Sequence, residues 1–320
     1  MKTEQYQKRQ TATATDKCFR IGRPTAYFIL LLLTYTVGYL SASSSTSHPP
    51  SPSFTSAVTA TNYSSPPSSS SSNQLLDPFR VTTRCVDPIP SELVRQTLLD
   101  RFFNGSTPFQ DFPADHAAKL LRPTIVKGWG SNGAVFENLI PKVKPRTIIE
   151  VGTFLGASAL HMAELTRKLG LQTQIICIYD FCGWAGFGDR FENLPMINGD
   201  VLLRYQFMQN VVTSNKTGSI IPVPYSSGSA LIELCELGVF ADLVEIDAGH
   251  DFLSAWSDIN RGYRILRPGG VLFGHDYFTA ADNRGVRRAV DLFARVNGLK
   301  VKVDGQHWVI DSVELYYDSS

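Results

Sequence analysis

The C-terminal two-thirds of the sequence predicts an α/β fold built on a doubly wound, mostly parallel sheet, and three observations predict it. Short apolar runs rich in branched residues recur at 147–151, 174–179, 220–223, 241–246 and 270–274. Helical stretches at 157–169, 203–212, 230–237, 252–266 and 283–296 alternate with them. Strand and helix alternating at this spacing imply parallel strands joined by crossover helices. Near the end, 301–303 and 307–310 flank Asp304-Gly305, which reads as an antiparallel hairpin closing one edge of the sheet.

The segments before this domain have a different character. Residues 1–24 form a basic tail with Lys2, Lys8, Arg9, Lys17, Arg20 and Arg23 against Glu4 and Asp16. From Pro24 to Leu76 there is no Asp, Glu, Lys or Arg. Within that run, 25–42 is apolar enough to enter a bilayer, at the short end of the spanning range. Basic residues before the span and none after it place the N-terminus in the cytoplasm and the remainder in the lumen, as a single-pass type II protein. A cleaved signal peptide ending at Ala42 is the competing reading. The length of the basic region favours a signal anchor, and a short span suits an internal membrane of the endoplasmic reticulum or Golgi.

Residues 43–76 continue as a disordered stem. The 33 positions 41–73 hold 15 serines and 5 prolines, too little apolar surface to offset the entropy of ordering. Sequons at Asn62, Asn104 and Asn215 fit a lumenal glycoprotein. Of the five cysteines, Cys18 lies on the cytoplasmic side. Cys85, Cys177, Cys182 and Cys235 would meet an oxidising lumen, and Cys177 reads as core, so at most one disulfide is expected. No CxxC pair is present, which excludes a zinc module of that kind and a disulfide scaffold. A hydrophobic content of 43% supplies a core, and a net charge of +1 gives no electrostatic case for nucleic acid. A helical lead-in occupies 77–145, with helices at 91–103, 114–121 and 133–143, and the catalytic domain is expected over 146–320.

Chemistry is expected where strands end. The first strand runs into Glu150-Val-Gly152-Thr153-Phe154-Leu-Gly156-Ala-Ser158. Two glycines let the backbone turn tightly and approach a ligand, and the free N–H groups of the following helix favour an anion. The alternative is that Gly152 and Gly156 serve the turn alone. GxGxxG is absent, which disfavours a nicotinamide oxidoreductase, and Glu150 would repel a pyrophosphate yet attract an ammonium group. The second strand ends in Tyr179-Asp180, an acid placed to accept from a ribose diol or, alternatively, to cap a helix.

The run Glu150-Val-Gly152-x-x-x-Gly156-x-Ser158 with a second-strand acid resembles class I S-adenosylmethionine-dependent methyltransferases, whose sheet is Rossmann-like. Leu243-Val-Glu-Ile-Asp247-Ala-Gly-His250, Leu266 to Tyr277 and Gly285 to Val290 resemble the branch related to macrocin O-methyltransferase and cephalosporin-hydroxylase-like proteins. The resemblance covers roughly 120–312. It implies that Glu150, Gly152, Thr153, Phe154, Gly156 and Ser158 line the methionine side of S-adenosylmethionine. Asp180 would take the ribose, and Ser226-Ser227 would lie near the adenine. It also implies that Asp247 and Asp276 ligate Mg²⁺ beside the acceptor. Two departures weigh against the metal: His275 precedes Asp276 where relatives have an acid, and Gly249 replaces the second acid of Asp-Gly-Asp. His250 is then the expected base, with a structural, backbone-bonded histidine as the alternative. Asp282-Asn283 is expected to cap the helix after it, with a late metal ligand as the alternative.

The expected function is therefore O-methylation of a glycan or a small secretory-pathway metabolite. The alternative is a catalytically inactive module that keeps the cofactor loop. Anchored methyltransferase-like proteins that the chain resembles imply the Golgi.

Overall fold

A computed structural model describes residues 85–184 and 191–312, together with Thr34, which is helical. The expected tail, anchor and stem, Thr34 apart, lie outside the described residues. Among the described residues no helix is long and apolar enough to cross a membrane.

Three helices precede the sheet: α1 (Ser91–Phe103), α2 (Asp115–Ala118) and α3 (Ala134–Val143). There follow β1 (Thr147–Val151), α4 (Ala157–Lys168), β2 (Gln174–Ile178), β3 (Met196–Ile197), β4 (Asp200–Val201) and α5 (Leu203–Thr213). The chain continues with β5 (Ile220–Val223), α6 (Ser227–Glu236), β6 (Ala241–Ile246) and α7 (Phe252–Arg264). It closes with β7 (Leu266–Gly274), α8 (Ala281–Asn297), β8 (Lys302–Asp304) and β9 (His307–Asp311).

Seven strands form one sheet in the order β5-β2-β1-β6-β7-β9-β8. Pairing is parallel from β5 to β7 and antiparallel for β7–β9 and β8–β9. From β1 the chain moves to β2 and β5 on one side, then returns to β6 on the other. The winding reverses between β1 and β6, where open α/β sheets form a ligand crevice beyond the carboxyl ends of their strands.

Helices on both faces explain why the strands are nearly continuous apolar runs. Ile149, Ile176, Ile221, Val244 and Leu272 pack with Leu98 of α1, Leu234 of α6, Ile259 of α7 and Phe293 of α8. On the opposite face Ile148, Ile175, Ile220, Leu243 and Phe273 pack with Phe136 of α3, Met162 of α4 and Phe207 of α5. A disulfide joins Cys85 to Cys235 at the end of α6, and Val86 N–H donates to the Cys235 carbonyl at 3.1 Å. Cys177 is a buried free thiol and Cys182 an exposed one. The sequon residues Asn104 and Asn215 are exposed.

Several boundaries differ from the sequence expectation. The helix expected over 114–121 forms only at Asp115–Ala118. Helix α6 begins at Ser227, because Ser226 accepts from Ser229 N–H and caps it. Strand β7 begins at Leu266, which pairs with Ala241 before a shift in register. Asp282, Asn283 and Arg284 adopt left-handed backbone with φ of 50°, 55° and 57°, and neither Asp282 nor Asn283 supplies the expected cap. The β3–β4 antiparallel pair was not expected.

Candidate active site

A cavity of about 620 Å³ opens at the winding reversal. One half is walled by Gly152, Thr153, Phe154 and Ser158 after β1, Tyr179 and Asp180 after β2, and Ser226 and Ser227 after β5. These are positions where successive parallel strands end, so the sheet itself gathers them. Asp180 Oδ1 accepts from the Cys182 N–H at 3.1 Å, which fixes its carboxylate beside the wall. Burial pushes the neighbouring Tyr179 hydroxyl up to about 12, so the phenol stays neutral. Phe154 carries a left-handed backbone at φ 47° and packs on Trp129, 5.5 Å between ring centres, and on Trp184 at 6.1 Å.

Two of the expected cofactor residues are placed differently. Glu150 does not face the cavity. It lies 1% exposed beneath the loop, accepting from Ser158 Oγ and, at 3.4 Å, from Cys177 Sγ. Gly156 faces Phe207, whose ring a Cβ would approach to 2.9 Å. Gly152 does line the cavity, but its side-chain position points at protein. A Cβ there would stand 1.7 Å from the Asp247 carbonyl oxygen, and φ is +105°. Glycine is required because the β1 loop and the end of β6 nearly touch.

The other half holds Asp247, His250, His275 and Asp276. Asp247 follows the last residue of β6 and Asp276 lies two residues past β7, so adjacent strands deliver both carboxylates. His250 Nε2 stands 2.9 Å from Asp276 Oδ2, and His275 Nδ1 stands 3.3 Å from the same oxygen and 3.9 Å from Asp247 Oδ1. Thr279 Oγ1 donates to the other Asp276 oxygen, and the Asp276 backbone is left-handed at φ 61°. Burial opposes ionisation of Asp276, but the contacts from His250, His275 and Thr279 outweigh it and hold the carboxyl far below its usual range. Burial pushes Asp247 up to about 7. The hydrogen bond with Asp276 raises His250, and the same carboxylate raises His275. Asp247 is thus a carboxyl that can exchange its proton near neutrality.

These residues also fit one cation. Asp247, His250 and Asp276 each offer a ligand atom, all within 4.8 Å of one another. The set is two carboxylates and one imidazole. Gly249 explains the acid missing from the expected pattern, since a Cβ there would lie 2.6 Å from the Ser254 Cβ.

Sequence reasoning did not find Gly128, Trp129 and Ser131, which reach the cavity from the loop before α3. No spacing rule ties that loop to strands further along the chain. Glu245 was also missed, although an acid inside an apolar strand is a visible signal. It is the register partner of Glu150, 2% exposed, and burial drives its carboxyl well above the usual range.

No curated protein matches the chain. An O-methyltransferase from Bacillus cereus, solved with SAH, is 17% identical, covering 68% of this chain and 97% of its own at a TM-score of 0.41. The O-methyltransferase TomG from Streptomyces achromogenes, solved with SAM and involved in tomaymycin synthesis, is 13% identical, covering 72% and 91% at a TM-score of 0.40. Identity this low leaves residue roles to the geometry of this chain. Residues 149–277, which run from the middle of β1 to the residue after Asp276 and so contain both halves of the cavity, match the family model of a methyltransferase domain.

Proposed function

We propose that the chain is an S-adenosylmethionine-dependent O-methyltransferase. One observation carries the reading: a single cavity joins a strand-end loop and acid suited to a nucleoside to a cluster suited to activating a hydroxyl. The methyltransferase-domain match over residues 149–277 supports it. Thr153 and the start of α4 hold the methionine end, Asp180 accepts from the ribose hydroxyls, and Ser226 and Ser227 border the adenine. Methyl transfer from a sulfonium is an in-line displacement, so holding donor and acceptor close is most of the catalysis. Asp247, His250 and Asp276 meet the acceptor hydroxyl and handle its proton. These three would also hold a divalent cation, which when bound lowers the pKa of a coordinated hydroxyl.

The acceptor is a hydroxyl on a glycan or a small secretory-pathway metabolite, and the chain is a type II membrane protein with its catalytic domain in the Golgi or endoplasmic reticulum lumen. The Cys85–Cys235 disulfide supports an oxidising compartment, and exposed Asn104 and Asn215 are accessible to glycosylation. The test is transfer of a labelled methyl group from S-adenosylmethionine to a glycan and metabolite panel, with calorimetry of cofactor binding alongside. Asp180→Ala should weaken cofactor binding by about 1–3 kcal/mol, the loss of a charged hydrogen-bond acceptor. Cofactor bound without transfer to any acceptor would favour the inactive module, and unchanged affinity in Asp180→Ala would remove the ribose assignment.

A further inference from the structure

We infer that Asp247, His250 and Asp276 form a mixed nitrogen–oxygen cation site that takes a first-row transition ion, such as Mn²⁺ or Co²⁺, in preference to Mg²⁺, with His250 as a ligand. The inference rests on the proposed function only in placing this cluster beside the acceptor.

Three chain positions supply the donors, and their ligand atoms lie within 4.8 Å of one another, close enough to share one ion. The cavity is lined by Asp180, Asp247 and Asp276, and no Lys or Arg is among its described lining residues. Two of those acids face each other across the cluster with imidazoles as their neighbours. The third donor is nitrogen because of local sterics. Ser254 leaves no room for a side chain at Gly249, so an acid cannot enter from there, and the next residue, His250, reaches Asp276 instead. Magnesium favours oxygen ligands and keeps its water, whereas imidazole suits later divalent ions. Thr279 and His275 already orient the Asp276 carboxylate, as outer partners of a metal ligand do.

His275 is the natural control. Its ring lies against that of His307, tilted at 59° with 4.8 Å between centres, and its Nδ1 stands 3.3 Å from Asp276 Oδ2, so it is assigned an orienting role.

The experiment uses the full-length chain in detergent, without S-adenosylmethionine. Mn²⁺ is titrated and followed by electron paramagnetic resonance, with pulsed measurements for nitrogen coupling and Mg²⁺ as competitor. The expected result is one Mn²⁺ per chain with an imidazole nitrogen in its coordination shell, and Mg²⁺ that competes only in large excess. His250→Ala should abolish the coupling and weaken Mn²⁺ binding by about tenfold or more, at least what losing an outer partner costs. His275→Ala should keep the coupling. No stoichiometric ion, an ion without nitrogen coupling in the wild-type chain, Mg²⁺ binding as tightly as Mn²⁺, or coupling lost only in His275→Ala would each overturn the assignment. The wild-type spectrum decides even where a variant fails to fold. Loss of cofactor binding beside an intact nitrogen-coupled Mn²⁺ would sink the methyltransferase reading and leave this one standing.

Discussion

Asp258 on α7 is a buried carboxyl that bonds to Ser227, a wall residue of the cavity. Burial pushes it up to about 6, against the pull of Ser227 and Arg261. A folded-state value above that of the unfolded chain means the native state binds the proton more tightly. Its contribution is therefore full below about pH 4 and is lost as pH rises through the folded value. Asp258→Asn keeps an acceptor for Ser227 without the charge. It should raise stability at about pH 7.5 by up to roughly 2–3 kcal/mol and change little at about pH 4. Thermal melts at the two pH values check this, and equal gains at both would remove the titration argument. Gly152 makes the opposite case, where one carbon is too many. Gly152→Ala should cost about 3 kcal/mol or more in denaturant melts, through overlap with the Asp247 carbonyl and left-handed strain. A variant of wild-type stability would show that β6 can retreat from the loop.

At the scale of elements, the Cys85–Cys235 bridge ties the segment before α1 to the end of α6 across a sequence separation of 150. Closing so long a loop restricts the unfolded chain, and replacing both cysteines by serine should cost about 2–5 kcal/mol. Melts with and without reductant measure it; an unchanged midpoint would mean the bridge adds nothing to the fold. The five parallel strands were legible because each holds a buried run of four or more residues between helices, a pattern that one-dimensional hydrophobicity reports. The β3–β4 pair was not, because strands of two residues have no period to read. The left-handed run Asp282–Arg284 was equally hidden, since Asp-Asn before a helix also reads as a cap. In the cavity, Asp180, Asp247 and Asp276 could be named from sequence because strand ends are where such sheets place ligands. Trp129 could not, for its place depends on a loop packing against Phe154 and Phe191. Glu150 was assigned to the cavity because sequence order does not say which side chains a loop covers.

On the scale of the whole molecule, the N-terminal segments and the catalytic domain make separate claims. If residues 25–42 anchor the chain, full-length protein should stay in the membrane pellet after alkaline carbonate extraction. A chain lacking those residues should then move to the supernatant. A shortened chain in the supernatant, beginning at Ser43, would favour the cleaved signal peptide. The bridge at Cys85 has a mechanical meaning for such an arrangement. Tension on the chain before residue 85 would divide at Cys85 between the peptide chain leading into α1 and a covalent link to the end of α6. The far end of α6 carries Ser227 at the cavity wall. A pull on such a tether would thus load a helix whose other end borders the cavity.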